Sequence, residues 1–305
     1  RACPDETKYL RRSYGIAKRI TKDLAIDERC GGRATLWEHF NAKWEPDYAF
    51  NAEAPKGSEE YMFRPWGLQP GHFFEWSKLL IQLDDAFAEV GAAAAAASDL
   101  VPAAERAWML PRSRDLFWRA HELGWSNGGG GGGETECTVA GAAYLVHPFA
   151  TDTPGLIDSD RFYWVHNEML AAAGLLAQAT AAGRVTPRES QRQREAEWLL
   201  GPGSEIAYED GAQEVWEVYS KVWSFCTQHF VDQTRGGWFP MLETVDRDGG
   251  GGSLCLQRVK RPFGLDGGVA ASDGAAEERA GVWLWPSKTE YHPVAMAASL
   301  LDSLF

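Results

Sequence analysis

Hydrophobic residues recur at three- and four-residue spacing along most of this 305-residue chain, and this periodicity restricts the fold to a mainly helical one. Strand signals are few, but two short apolar runs flank a glycine run within 236–287, which predicts a β-hairpin with a loose tip. We therefore expect an all-α domain with small β-hairpin loops and its functional loops on one side. The predicted helices are 5–25, 33–44, 72–91, 99–124, 161–182, 188–200, 210–231 and 290–304.

Composition narrows the class of protein further. The net charge of -13 argues against nucleic acid or an anionic membrane surface as a partner. No apolar run is long enough to predict a transmembrane helix. The five cysteines are scattered and lack metal-type spacing, so a reduced, cytoplasmic protein is the simpler expectation. We treat 1–305 as one domain and leave its oligomeric state open, with a homodimer among the alternatives.

The glycine runs 128–133 and 249–252 invite comparison with phosphate-binding loops. Neither is followed by Lys-Ser or Lys-Thr, and neither has dinucleotide-binding spacing after a clear strand. We therefore predict flexible loop tips there. Metal ligation by His72 and Glu75 with a further histidine is conceivable, but no HExxH or paired-cysteine pattern supports it. The sequence thus predicts neither a cofactor nor a metal.

The segment 64–76 concentrates groups that can carry chemistry. Arg64, His72 and Glu75 occur there with two tryptophans. Pro70 and Gly71 are turn residues directly before an apolar helical run, so His72 is expected near a helix N-terminus. The helix dipole disfavours imidazolium there, and Glu75 can hold the ring in one tautomer. This arrangement predicts a proton-transfer group, although a lone histidine at a helix start is more often a cap or a surface residue.

Two further loop-to-helix junctions have the same character. One spans 160–168 and carries Trp164 and Glu168, and the other spans 288–293 and carries His292. Small residues follow Glu168, so a buried carboxylate there needs a ligand or a partner such as Arg161. Alternate helix starts share one face in a helical toroid, so the three junctions could converge on one cleft. A glycosidase using Glu75 and Glu168 would leave the histidines idle.

These residues carry a resemblance to the N-acylglucosamine 2-epimerase superfamily, and within it to the mannose isomerase-like aldose–ketose isomerases. Its matching motifs run in family order along most of the chain. They are Leu36-Trp-Glu-His-Phe-Asn with Trp44, Arg64-Pro-Trp-Gly-x-x-x-Gly-His72-x-x-Glu75-Trp76-x-Lys-Leu-Leu, Leu123-Gly-Trp125, Tyr163-Trp164-Val-x-x-Glu168, His229-Phe-Val-Asp232 with Gly237-Trp238, and Lys288-Thr-Glu-Tyr-His292.

The resemblance implies an (α/α)6 toroid that binds a monosaccharide at one mouth without a cofactor. It implies that His72 and His292 shuttle a proton between C1 and C2 of an open-chain sugar through a cis-enediol. The implied substrate-binding residues are Arg64, Glu75, Glu168, Trp238 and Trp164.

The family's early helices have no counterpart in this chain, so the expected toroid is incomplete at its amino-terminal side. Position 166 is His where relatives often carry another polar residue, which suggests an extra proton donor. An aldose–ketose isomerase of the mannose/fructose type is the leading interpretation. A sugar 2-epimerase and an inactive sugar-binding helical module are the alternatives.

Overall fold

A computed structural model describes residues 7–93, 100–127, 140–149, 155–188, 208–234, 237–246 and 254–259. Its α-helices are α1 (Thr7–Lys18), α2 (Glu59–Phe63), α3 (Pro70–Ala93), α4 (Ala103–Arg106), α5 (Met109–Gly124), α6 (Tyr163–Ala181) and α7 (Tyr208–His229). A π-helical turn, Arg19–Asp23, extends α1, and a 3-10 turn covers Asp27–Cys30. The prediction of a mainly helical chain is confirmed.

The strands are short and antiparallel. They are β1 (Trp125–Ser126), β2 (Gly141–Ala142), β3 (Leu145–Val146), β4 (Leu156–Asp158), β5 (Arg161–Phe162), β6 (Met241–Asp246) and β7 (Leu254–Val259). Strands β6 and β7 form the predicted hairpin, with Met241 opposite Val259 and Asp246 opposite Leu254. Strand β5 extends it to three strands in the order β5-β6-β7. Because β5 leads directly into α6, this sheet positions the start of that helix.

The core is built around α6, which packs between α3 and α7, while α5 covers α3. All residues of α6 except Trp164, Gln178 and Ala181 are buried. A helix that is buried on every side must be apolar nearly all round, and the small side chains of 171–174 allow its neighbours to approach closely.

One predicted helix is absent, because residues 33–44 are extended and then turn. The Asn41 side chain accepts hydrogen bonds from the backbone N–H groups of Lys43 and Glu45 at 2.8 and 3.1 Å. Such local bonds compete with helix formation, and Trp44 adopts a positive φ of 64°. Ala34, Leu36 and Trp37 are buried from an extended backbone instead, whereas Trp44 is exposed.

The remaining helix predictions differ mainly at their ends. The predicted helix 99–124 is divided into α4 and α5, with Pro111 in the first turn of α5, where a missing N–H interrupts no intrahelical bond. The prediction for 161–182 is right except that 161–162 form β5. Apart from Arg188, the helices expected at 188–200 and 290–304 lie outside the described residues, as do both glycine runs.

Candidate active site

The imidazole of His72 lies at the start of α3, as the third residue of that helix. Its Nδ1 lies 2.7 Å from Oε1 of Glu38, a residue of the extended segment before α2. The other Glu38 oxygen accepts a 2.6 Å hydrogen bond from the side-chain amide of Gln69. The carboxylate at Nδ1 is therefore that of Glu38, whereas the sequence suggested Glu75 for orienting the ring.

Sequence reasoning gave Glu38 no role, although it lies within one of the family-like motifs. The Glu38–His72 pairing was missed because 33–44 was predicted to be helical. Nothing in a helix over those residues indicated that Glu38 would lie at the start of α3. The His72 and Glu38 side chains are 25% and 21% exposed, so the pair is open to a ligand while largely shielded from water.

The indole of Trp164 packs beside this imidazole. The two ring centroids are 5.2 Å apart and the rings are tilted by 41°. Gly71 makes the approach possible, since a Cβ at that position would overlap the Trp164 indole. The first turns of α3 and α6 therefore bring an imidazole and an indole together, so two of the three junctions that were expected to converge are adjacent.

Further along the same two helices, Glu168 and Lys78 form a buried ion pair. Their carboxylate oxygen and ammonium nitrogen are 2.5 Å apart, and the side chains are only 1% and 3% exposed. The expectation that Glu168 needs a partner is thus met by Lys78. Arg161, the alternative partner, donates to the backbone carbonyls of Ala140 and Ser159.

Trp238 lies on the other flank of the start of α6. Its ring is 6.3 Å from Tyr163, the first residue of α6, and 6.4 Å from Phe230 in a near-parallel arrangement. A backbone hydrogen bond from Tyr163 N–H to Pro240 C=O, 3.2 Å long, ties this segment to α6. The first two residues of α6 therefore make separate ring contacts, Tyr163 with Trp238 and Trp164 with His72.

The remaining predicted residues are less closely tied to this cluster. Arg64 is exposed just after α2, with its guanidinium 5.7 Å from the Phe50 ring and its carbonyl bound by Asn51. Glu75 is half-buried one turn beyond His72 on α3. His292 lies outside the described residues, so the predicted histidine pair is represented by His72 alone.

His166 has a structural environment. Its Nδ1 bonds the Phe162 carbonyl at 2.8 Å, and its Nε2 accepts the Ala142 N–H at 3.0 Å. Burial lowers the pKa of His166 to about 3, so the ring is neutral and both nitrogens are occupied. The suggested extra proton donor at this position is therefore not supported.

A second polar cluster, which the sequence analysis missed, anchors the segment that carries Arg64. The Lys56 ammonium lies 3.0 Å from Asp158 and 2.6 Å from Asp160, and the Tyr61 hydroxyl donates to Asp158 at 2.6 Å. Both carboxylates are buried. Burial, together with the neighbouring Asp158, raises the pKa of Asp160. The pattern Asp-x-Asp beside β5 was the available signal, but its lysine is about a hundred residues away.

A groove of about 500 Å³ lies elsewhere, along one side of α7. None of the predicted catalytic or substrate-binding residues that the structure describes lines it. Its lining residues are Trp125, Asn127, Ala140, Ser220, Lys221, Ser224, Phe225, Gln228 and His229.

The described part of the chain contains no group of three or more His, Cys, Asp and Glu side chains placed to hold a metal ion. No helix in it is long and apolar enough to span a membrane.

The fold resembles that of a known sugar isomerase. A crystal structure of D-mannose isomerase superposes with a TM-score of 0.56 at 23% identity, covering 98% of this chain and 51% of that one. The model of the N-acylglucosamine 2-epimerase (GlcNAc 2-epimerase) family matches residues 2–200. This chain belongs to that family.

Related sequences agree with this assignment. A D-mannose isomerase from Marinomonas mediterranea is 29% identical over 236 residues, which cover 77% of this chain and 43% of the relative. Another from Pseudomonas cannabina pv. alisalensis is 26% identical over 234 residues, covering 76% and 41%. The chain thus matches less than half the length of these relatives.

Proposed function

We propose that this chain acts on a monosaccharide as a cofactor-independent aldose–ketose isomerase of the mannose/fructose type. The observation that carries the proposal is the hydrogen bond between His72 and Glu38 at the start of α3, beside the Trp164 indole. The mainly helical fold and the D-mannose isomerase relatives support an (α/α)6 toroid as its architecture. The site would lie at the mouth formed by the starts of α3 and α6.

The Glu38 carboxylate gives His72 the properties of a base. When Nδ1–H donates to Glu38, the basic lone pair is on Nε2. The carboxylate also stabilises the imidazolium that forms when Nε2 takes a proton. A neutral, oriented imidazole is suited to removing the weakly acidic C2 proton of an open-chain aldose near neutral pH.

In the proposed reaction His72 and His292 share the proton transfers. One imidazole removes the C2 proton, the electron pair forms the C1–C2 double bond, and the C1 oxygen gains a proton to give a cis-enediol. Return of a proton to C1 and loss of the O2 proton give the ketose. The Arg64 guanidinium would stabilise negative charge on the enediolate oxygens.

The other predicted residues would bind the sugar. Trp164 and Trp238 offer indole faces to the C–H groups of the substrate. Glu168, held beside the Lys78 ammonium, would accept a hydrogen bond from a hydroxyl, and Glu75 would contact or position the sugar near His72.

A sugar 2-epimerase is the second candidate, favoured by the family model that the chain matches. It would use the same base at C2 but return the proton to C2 from the opposite face. An inactive sugar-binding module is the third, because the Trp164 and Trp238 indoles could bind a sugar whether or not a reaction follows.

Proton NMR with D-mannose in D2O distinguishes the three. Fructose containing deuterium would support the isomerase, and a C2-epimeric aldose containing deuterium would support the epimerase. Binding of mannose in calorimetry with neither product nor exchange would support the binding module.

Variants then test the assignment of the base. We expect His72→Ala to lower kcat by roughly 100- to 10,000-fold and Glu38→Gln to lower it while leaving KM nearly unchanged. His121→Gln, on α5, is the matched control and should behave as wild type. Wild-type turnover by His72→Ala would contradict the mechanism.

A further inference from the structure

Asn167 stands out among the buried polar side chains of the core. The residue is 0% exposed, yet neither its amide nitrogen nor its amide oxygen has a hydrogen-bond partner within the described structure. Burying an amide without partners is unfavourable, and native proteins normally satisfy such groups with protein, water or ligand. Its neighbours His166 and Glu168 both have polar partners.

The position of Asn167 on α6 indicates where its amide lies. It follows Trp164 by three residues and Tyr163 by four, so it is adjacent to both on the helix surface. A helical side chain leans toward the preceding turn, which here is the first turn of α6. That turn contacts His72 through Trp164 and Trp238 through Tyr163. Helix geometry therefore directs the Asn167 amide toward the turn that carries both of these ring contacts.

We infer that Asn167 is a specificity-determining residue that forms hydrogen bonds with a hydroxyl of the bound sugar. The inference rests on the proposed function, because it places the sugar between Trp164 and Trp238. An amide offers both a donor and an acceptor, which matches a hydroxyl group that is also both. Glu168, the next residue, can only accept when ionised, so the two side chains recognise hydroxyls in different ways.

The test compares wild type with Asn167→Ala on D-mannose and on its 3-deoxy, 4-deoxy and 6-deoxy analogues. We expect wild type to use one deoxy sugar with kcat/KM about tenfold lower than mannose. Asn167→Ala should lose about tenfold on mannose and no longer distinguish it from that analogue. Thr180→Val on α6 removes a hydroxyl whose hydrogen bond to Leu176 is already formed, so it should keep wild-type discrimination.

Thermal denaturation separates a sugar contact from a structural role. Asn167→Leu keeps the side-chain volume, so it should leave the midpoint unchanged or higher if the amide is unpaired, whereas loss of a bond to a buried water or to protein should lower it. Unchanged discrimination in Asn167→Ala would overturn the inference. If the alanine variant does not fold, Asn167→Ser is subjected to the same comparison.

Failure of the proposed function has a different signature. If wild type converts none of these sugars, the isomerase proposal fails, and calorimetric binding of mannose tests Asn167 instead. About tenfold weaker binding by Asn167→Ala would then support the contact. Equal binding, or no binding by wild type, would overturn it.

Discussion

Replacing Lys78 with methionine is expected to destabilise the protein strongly, because it removes the ammonium that lies 2.5 Å from the buried Glu168 carboxylate. At that separation and an effective dielectric constant of about 20, two unit charges attract by about 7 kcal/mol. Burial of each ion costs several kcal/mol, so the intact pair is close to neutral in net stability. Removing one partner forfeits the attraction while the other charge stays buried.

The expected loss for Lys78→Met is therefore about 3–5 kcal/mol. That is a large share of the roughly 5–15 kcal/mol by which native proteins are stable. Urea unfolding followed by circular dichroism at neutral pH measures it. Lys221→Met, at an exposed position on α7, is the matched control and should change stability by less than about 0.5 kcal/mol.

A double variant tests the reasoning itself. Lys78→Met combined with Glu168→Leu removes both charges and leaves apolar side chains, so it should be within about 1 kcal/mol of wild type or more stable. A loss below about 1 kcal/mol for Lys78→Met alone would refute the argument. So would a double variant whose loss equals the sum of the two single losses.

Three further predictions concern titration and packing. The pKa of His166 is about 3 in the folded state against a usual 6.5, so its contribution to stability is complete above pH 6.5 and is lost as pH falls toward 3. Between pH 6.5 and pH 4, the free energy of unfolding in urea should therefore fall by about 3 kcal/mol less for His166→Gln than for wild type. The pKa of Asp160 is raised, so protonation of Asp160 favours the folded state as pH falls. Lys56→Met should raise this pKa further, and the melting temperature of the variant minus that of wild type should therefore be higher at pH 5 than at pH 7.5. A difference that is higher at pH 7.5 would exclude this explanation. Gly71→Ala should displace the Trp164 indole, lower the free energy of unfolding in urea by about 1–3 kcal/mol and weaken sugar binding. The control Gly15→Ala on α1, where a Cβ meets open space, should be neutral or stabilising.

Much of the helical framework could be predicted from the sequence, because long helices repeat their periodic signal many times. Helices α3, α6 and α7 and the β6–β7 hairpin were predicted within a few residues at their ends. Residues 33–44 were not, since their apolar spacing fits a helix while the turn at Asn41 is decided by a few local hydrogen bonds.

The residues of the candidate site were likewise predictable from the sequence only in part. His72 and Trp164 could be predicted to meet because each lies near a helix start with a recognisable local signal. Glu38 and Lys78 could not be assigned, since their partners are 34 residues or more away and depend on how the helices pack. The role of His166 also required the structure, because only the strand β2 supplies the N–H that occupies its Nε2.

The three-stranded sheet has a consequence for how substrate preference could be engineered in this family member. Strand β5 joins the start of α6, and β6 follows Trp238 closely, so one sheet fixes the spacing between the two indoles. Helix α3 takes no part in that sheet. In the proposed sugar site, substitutions along β6 would therefore adjust the spacing of the two indoles while the His72–Glu38 pair stays in place. Directed evolution aimed at a different sugar would best begin in the hairpin and leave the helix starts unchanged.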